Sequence, residues 1–583
     1  MHQGGSSIYE FHGFQLDPGK RVLLEGGKVI PLTPKVFDTL LYMLEHAGET
    51  FSKEALMQAV WPDIVEENNL NQHISTLRRL LGEKRGENRY IATIPGRGYR
   101  FTAAVVSVEG ASAKAESSTN HGMRLALAVL PFDNMTGDAG RAYLADGLTE
   151  ETIAAMGQVD PDHLSVIGRR SVMRYRETAK SIAEIGSELG VGYVVESSLR
   201  AEGPRLRITS KLIQVHDQSQ VWSGSFDSEP ASILAFQREL SVTIAEQVRL
   251  QLSPARLDAV RRRQTSHAEA YDLYLHGRHF WYQLNPTGTR SAIEYFQRAT
   301  ALDPEYALAW SGLADTYASS PVNGDGDPHI VWPKAQDAAG RAVRLAPDLA
   351  EAQTSMAFLK FWLDWDWPGA EIAYRRAIQL DPNYPLAHRM LGVVLAHMGR
   401  HAEAEGPMRR ARELDPLYAM HHALSAQVAY AARDFEGAVR WARQAIIVDP
   451  TFWIGHWQLA QACVTLGRLE EALGALADAA RFSHNNTKTI ALRGYIYALS
   501  DRRDAAREIL LVLEALARER YVAPYCIALV HLGLGEQPAA LDGLELAFAM
   551  RDTHLIFLPI DAKWDALRHH ERFHALVRRC GFA

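Results

Sequence analysis

Between Asn68 and Phe101 stand the side chains with the clearest chemistry in this chain: short hydrogen-bonding groups and cations, then a turn reading Pro95-Gly96-Arg97-Gly98. Leu70, Ile74, Leu77 and Leu81 recur at spacings of four, three and four, the single apolar stripe of a 3.6-residue helix. That spacing turns Asn68, Gln72, Ser75, Thr76 and Arg79 outward. Amides, hydroxyls and a fork-shaped guanidinium are the groups that read base edges and neutralise phosphates in a major groove. The window holds Arg78, Arg79, Lys84, Arg85, Arg89, Arg97 and Arg100 against Glu83 and Glu87, although the whole chain carries a net charge of -7. Positive charge gathered so locally on an acidic molecule points to duplex DNA met by one helix and its neighbouring hairpin.

Several elements must hold that helix in place. Phe11 to Leu16 alternates apolar and polar residues, and Val22-Leu23-Leu24 with Val29 to Leu32 flank the turn Glu25-Gly26-Gly27-Lys28, which predicts a small antiparallel sheet. Pro34 opens a helix whose stripe is Phe37, Leu40, Leu41 and Leu44 and which Gly48 stops; Ser52 begins a second helix ending at Trp61-Pro62. Residues 107–122, rich in Ser, Ala, Gly, Glu and Asn, have the composition of a flexible linker.

At 583 residues the chain exceeds what one core can bury, and its 47% hydrophobic and 22% charged content is that of ordinary globular domains. After the linker, Leu125 to Leu130 is an unbroken apolar run ended by Pro131, the mark of a buried strand. A helix from about Asp146 to Met156, a strand at Leu164 to Ile167, a helix near Ile182 to Leu189 and a hairpin from Tyr193 to Ile213, turning at Glu202-Gly203-Pro204, complete an α/β block. From about His267 the chain repeats itself. Pro304, Pro347, Pro382, Pro416 and Pro450 lie 43, 35, 34 and 34 residues apart, and 34 is the tetratricopeptide period. Trp310, Leu313, Ala314 and Tyr317 fit its signature, and residues 321–328 lengthen the first interval. Helix pairs of this kind stack to bury a continuous core and leave a concave groove suited to a protein or peptide segment.

The remaining motifs are bland. His570-Glu571-x-x-His574 spells a zinc-protease motif, but no His, Asp or Glu follows to serve as a third downstream ligand, so a charged last helix is expected. His421 and His422 point about 100° apart on a helix, poor metal geometry. Phosphate-loop, nucleophile-elbow and Cys-x-x-Cys patterns are missing. Phe358, Phe361, Trp362, Trp365 and Trp367 are expected to fill helix-pair interiors. Cys463, Cys526 and Cys580 are few and odd in number, which fits a reducing compartment. The N-terminus has no leader pattern and no apolar run is long enough to span a bilayer, so a cytoplasmic chain without membrane partners is expected.

The first 104 residues resemble the OmpR/PhoB-type winged-helix DNA-binding domain. The resemblance rests on Leu32-Thr33-Pro34, Phe37, Leu40-Leu41, Leu56, Val60-Trp61, His73-Ile74-Ser75-x-Leu77-Arg78-Arg79-x-Leu81 and Gly96-x-Gly98-Tyr99-Arg100-Phe101. It implies a recognition helix over 69–81 in the major groove and a wing placing Arg97 near the minor groove. Trp61, Tyr99 and the Gly96 backbone fall where such domains touch phosphate, and the loop 62–67 falls where the family can contact RNA polymerase. The DNA-binding set is then Trp61, Asn68, Gln72, His73, Ser75, Thr76, Arg78, Arg79, Gly96, Arg97, Tyr99 and Arg100, with Gln72, Ser75, Thr76 and Arg79 reading bases and Arg78 and Arg100 holding the DNA backbone. Relatives often carry Arg where Ser75, Thr76 and Pro95 stand, so no base preference carries over. No receiver-type acidic cluster accompanies the winged helix, so phosphorylation gating is not indicated. The middle block resembles a TolB amino-terminal-like domain through Ala128-Val129-Leu130-Pro131-Phe132, Tyr143-x-Ala145-Asp146-Gly147-Leu148-Thr149 and Leu189-Gly190-Val191-x-Tyr193-Val194-Val195-Glu196.

The sequence thus predicts a multidomain α+β chain: an N-terminal winged helix-turn-helix (1–106), a linker (107–122), a central α/β domain (123–254), a C-terminal all-α tetratricopeptide superhelix (267–553) and a capping segment (554–583). The expected function is a one-component transcriptional regulator of bacterial type that binds double-stranded promoter DNA, without catalytic residues, cofactor or metal. The alternative is a tetratricopeptide scaffold whose winged helix makes protein contacts.

Overall fold

The computed structural model describes residues 7–17, 22–25, 28–30, 34–60, 67–83, 87, 89–94, 97–103, 105–109, 124–202, 205–228, 240, 243, 244, 247, 265, 267–283, 286–322, 326–483 and 485–582. The chain divides into two compact units, 1–120 and 121–583.

In the first unit, β1 (Ser7–Phe11), β2 (Phe14–Asp17), β3 (Val22–Glu25) and β4 (Lys28–Ile30) form an antiparallel sheet in the order β4-β3-β2-β1, continued beyond β1 by β8 (Val106–Glu109). The expected linker therefore starts later than residue 107. Val106-Ser107-Val108 has strand alternation, and the open edge of β1 supplies the backbone partners. Three helices follow the sheet: α1 (Pro34–Glu45), α2 (Lys53–Val60) and α3 (Glu67–Leu80). A second sheet joins β5 (Thr50–Phe51), β6 (Ile91–Ile94) and β7 (Gly98–Phe101) in the order β5-β7-β6. Leu70, Ile74, Leu77 and Leu81, the stripe read from sequence, are all buried against Phe37, Leu40, Leu56 and Phe101 in one core.

The second unit begins with a mixed sheet of β9 (Leu125–Val129), β10 (Asp133–Asn134), β11 (Leu164–Val166), β12 (Tyr193–Glu202), β13 (Arg205–Gln214) and β14 (Gln220–Ser228). Its order is β11-β9-β12-β13-β14, with β9 parallel to both neighbours, β12 to β14 antiparallel, and β10 pairing β12. Leu127 and Val129 face a core shared with α4 (Ala142–Val159), while Ala128 and Leu130 face α5 (Arg169–Val172) and α6 (Ile182–Leu189). Burial on both faces explains the unbroken apolar run. Sequence reading missed β14, because its apolar side chains, Trp222 and Phe226, are only half-buried and separated by Gly224, a glycine whose missing Cβ makes room for the Trp222 ring.

Helix pairs then run from Ala268 to Ala549, past the point where the proline spacing fades. Their turns share a device that the period alone does not reveal. Six residues after each repeat proline, a side chain donates to that proline's carbonyl: Trp310 Nε1 to Pro304 (2.9 Å), Gln353 Nε2 to Pro347 (2.8 Å), and the ring Nε2 of His388, His422 and His456 to Pro382, Pro416 and Pro450 (3.0, 2.9 and 2.8 Å). A carbonyl beyond a helix end lacks an intrahelical donor, and these three histidines are placed to supply one. Of the expected 321–328 loop, Pro321 and Val322 instead continue the helix Ala307–Val322, and Asp327 caps the next helix.

The sequence divides the sheet block from the repeats, whereas the fold packs them into one unit. Asp146 on α4 receives Arg169, Arg176 and His279, and Glu150 one turn later receives Arg169, Arg278 and the Tyr282 hydroxyl (2.8 Å). Gly147 leaves space for Leu275 on the first repeat helix. Further along, Asn383 Nδ2 donates to the Gly157 and Leu164 carbonyls, both at 2.9 Å, and Asp415 accepts from the Ser171 amide (2.7 Å) and hydroxyl. Burial alone would raise the Glu150 carboxyl, but Arg278 and Arg169 outweigh it and hold the group below the usual value. Its contribution to stability is therefore complete above the unfolded value of about 4.3 and is lost as pH falls through the lower folded value.

The segment expected to cap the superhelix does more than end it. Trp367 Nε1 donates to the Cys580 carbonyl (2.9 Å) and stacks on Phe582, Tyr430 reaches Asp561 (3.1 Å), Arg433 pairs with Asp565 (2.7 Å), and buried Lys563 reaches Gln461 (2.7 Å). The residues after 552 thus lie across several repeats. Phe361, Trp362, Trp365 and Trp367 are buried, with Trp362 against Phe557 and Trp367 against Phe582 of this segment and Trp365 against Phe548 of the helix before it. The zinc-like pair is ordinary too, since His570 bonds Gln537 (3.0 Å) just before the last helix, and no metal-type cluster exists among the described residues. Replacing Glu150 by Ala leaves Arg169 and Arg278 without their shared carboxylate, so we expect the second unit to lose about 3 kcal/mol or more. Denaturant unfolding of the full chain checks this, and an unchanged midpoint would contradict the seam described here.

Candidate nucleic-acid interface

Helix α3 presents its second face away from the buried stripe. Ser75 on that face is exposed and Thr76 half-buried. Gln72, His73 and Arg79 belong to the same helix, as does Asn68, but their side chains lie outside the described residues, as do Trp61, the loop 62–66 and Gly96. For Asn68, Gln72, His73 and Arg79 the helical backbone fixes position along the rod and nothing more.

Arg78 is committed within the domain. Its guanidinium donates to the Ile91 carbonyl through Nε (3.2 Å) and Nη2 (2.8 Å), reaches Thr93 Oγ1 (2.8 Å), and lies 4.0 Å from the buried carboxylate of Glu83. Glu83 in turn accepts from the amides of Tyr90 (3.3 Å) and Ile91 (3.4 Å). This joint locks the end of the recognition helix to the first strand of the hairpin. Sequence reading treated Arg78 as a DNA-backbone contact; the structure gives it a positioning task first. Position in a sequence shows charge, and only the fold shows that a carbonyl and a carboxylate already lie within its reach.

The hairpin pairs Ile91 with Phe101, Thr93 with Tyr99 and Ile94 with Gly98. That register sends Tyr99 and Phe101 into the core and Arg100 outward, where its Nε donates to Thr50 Oγ1 (2.8 Å). Tyr99 is only 6% exposed, so the phosphate contact implied by resemblance is narrowed to what its rim can reach. Arg97 is exposed in the turn, and its amide closes that turn onto the Ile94 carbonyl (3.0 Å). Gly98 follows at φ +114°, with the space for a Cβ filled by the Phe51 carbonyl oxygen. Only glycine fits both the dihedral and the approach. The described surface therefore joins a polar helix face (Ser75, Thr76) with two outward arginines on a hairpin (Arg97, Arg100).

A helix-turn-helix core followed by a β-hairpin with an exposed basic turn defines the winged-helix class of nucleic-acid-binding domains. Residues 27–101 match the family described as "Transcriptional regulatory protein, C terminal", and this part of the chain is an OmpR/PhoB-type winged helix. Residues 123–243 match "HilA/YgeH-like transcriptional regulator, second domain", which is the family statement for the block that resembles TolB; residues 274–321, 366–419 and 424–486 match the tetratricopeptide repeat. The chain is 27% identical over 327 residues to the transcriptional regulator HilA of Salmonella typhimurium, covering 55% of this chain and 56% of that protein. It is 34% identical over 188 residues to a Rhizobium meliloti protein named "Putative adenylate cyclase 3", covering 32% of each. The phosphate regulon regulator PhoB of Escherichia coli is 32% identical over 97 residues, 16% of this chain and 42% of that protein. The chain thus spans about half or less of the length of these relatives.

Removing the Arg78 side chain should act on the scaffold. We expect Arg78→Ala to cost the winged helix about 1.5 to 3 kcal/mol, the worth of charged hydrogen bonds lost with their acceptors left in place, read as a lower midpoint for its unfolding. No change in that midpoint would return Arg78 to a purely DNA-facing role.

Proposed function

We propose that this chain is a one-component transcriptional regulator whose winged helix reads double-stranded promoter DNA while the rest of the chain, the α/β block and the repeats, senses or docks a partner. The observation that carries the reading is the joint surface of Ser75, Thr76, Arg97 and Arg100, held outward on a rigid helix and hairpin within a domain matched to transcriptional regulators. In this reading α3 enters the major groove, with Gln72, Ser75, Thr76 and Arg79 facing base edges and Asn68 and His73 beside them. Arg97 reaches toward the minor groove, and Arg100, Trp61, Tyr99 and the Gly96 backbone hold phosphates. The loop 62–67 is the surface we assign to RNA polymerase, on the strength of the family resemblance.

The repeats supply the regulatory part, with a protein or peptide segment as the partner class that such helix pairs commonly accept. We assign it no catalysis: the cyclase name belongs to a relative of which this chain matches about a third. A location in the cytoplasm is part of the same proposal, and among the described residues no helix is long and apolar enough to cross a membrane.

Two variants separate base reading from phosphate holding. Arg79→Ala should relax sequence choice at a cost of about 1 to 3 kcal/mol on the preferred site, while Arg100→Ala should weaken specific and random duplexes alike. Gel-shift titration of the full chain at two salt concentrations measures both, because phosphate engagement makes log affinity fall steeply with log salt. Equal losses for both variants on every duplex would contradict that division, and the lack of a steep salt dependence would favour the scaffold reading, in which the winged helix meets protein.

A further inference from the structure

Where the α/β block meets the first helices of the repeat pairs, the fold leaves a cavity of about 1220 Å³. That is somewhat more than the roughly 300 to 1,000 Å³ of small-molecule sites, so a small ligand would fill only part of it. Its wall is largely apolar and aromatic, with Phe358, Leu386, Met390, Leu424 and Trp457 among its lining.

One cation in this wall makes no ion pair among the described residues. Arg389, on the helix Pro385–His397, is 8% exposed, and it has no hydrogen bond or ion pair among the described residues. Its guanidinium carbon lies 5.5 Å from the centre of the Tyr418 ring, and Arg170 approaches the same ring at 5.2 Å. Arg170 is steadied by the Tyr282 carbonyl at 3.1 Å. Burying a charge costs several kcal/mol unless a partner compensates it, and a second guanidinium at the same ring adds repulsion.

Seven carboxylates line this cavity, and among the described residues none forms an ion pair with Arg389. Glu150 belongs to Arg169 and Arg278, and Asp415 to Ser171. Burial raises both Asp415 and Asp315 to about 6, with the Ser171 and Ser355 hydrogen bonds only partly opposing it. Unpaired neutral groups line the same cavity. His421 is 1% exposed with neither ring nitrogen bonded, burial holds it neutral, and the Gln427 amide nitrogen and Trp457 Nε1 are unpaired as well. Water can satisfy these groups, but it carries no charge and leaves Arg389 uncompensated.

We propose that this cavity is an effector site for a small organic anion, its acidic head on Arg389 beside Arg170 and its aromatic or aliphatic body along the apolar wall. The site lies at the seam between the sheet block and the repeats, so a bound anion would touch both. The inference deepens the regulatory reading of the second unit, yet binding is measured without DNA, so the two fail separately.

Two fluorescent probes with the same aromatic body test it on the full chain: 8-anilino-1-naphthalenesulfonate, and N-phenyl-1-naphthylamine, which lacks the sulfonate. We expect saturable binding of the sulfonate at one site per chain, tighter than the neutral probe by at least about tenfold. Arg389→Gln should weaken the sulfonate by a similar factor and leave the neutral probe unchanged, which also shows that the cavity has folded. Without any probe, Arg389→Gln should melt at or above the parent temperature, since an uncompensated charge has been removed. Arg389→Lys, keeping charge but losing the fork, should fall between. Equal affinity for the two probes, absence of saturation, a preference that survives Arg389→Gln, or a large drop in that variant's melting temperature would each overturn the proposal.

Discussion

A stack of helix pairs leaves the faces of its first helices without a neighbour in the next layer, and what covers those faces shapes the second unit. Here the cover comes from both sides in sequence. The α/β block, preceding the repeats, sets α4, α5 and β11 against them through Asn383, Asp415 and the charges around Asp146 and Glu150. The last residues return from the other end, with Asp561, Lys563 and Cys580 reaching Tyr430, Gln461 and Trp367. The groove expected to lie open is therefore partly occupied by the chain itself, and what stays empty is the cavity between the α/β block and the repeats.

That arrangement changes what a partner would have to be. An open superhelical groove suits an extended peptide, whereas a partly covered cavity with a buried guanidinium that makes no ion pair among the described residues suits something small and charged. Both remain compatible with a regulator, because surfaces beyond the cavity still belong to the repeats. The physical distinction is electrostatic. Peptide backbones carry dipoles, while Arg389 calls for a full negative charge.

In the winged helix, the parts legible from sequence were those governed by period. The stripe Leu70, Ile74, Leu77 and Leu81, the helix start at Pro34 and the strand alternation near Phe11 all follow from local burial patterns, and each has its counterpart in the fold. Gly98 was legible as a turn glycine, but not the reason for it, which is the Phe51 carbonyl from a strand far away in sequence. Arg78 and Tyr99 could be assigned only by resemblance. Their hydrogen bonds and burial come from Ile91, Thr93, Glu83 and the core, residues whose proximity no local period encodes.

By itself, then, the sequence determined the kinds of element and their order: a basic amphipathic helix beside a glycine-bounded hairpin, an apolar-run sheet block, and a 34-residue helical period. These are set by side-chain polarity and backbone preference over a few neighbouring residues. Tertiary structure alone decided that β8 extends the first sheet, that the sheet block and repeats form one unit, that the end of the chain crosses the repeats, and that Arg389 is buried without an ion-pair partner among the described residues. Each depends on groups about a hundred residues apart or more, or on the absence of a group where one might have stood, and long-range proximity of that kind arises only when whole elements pack.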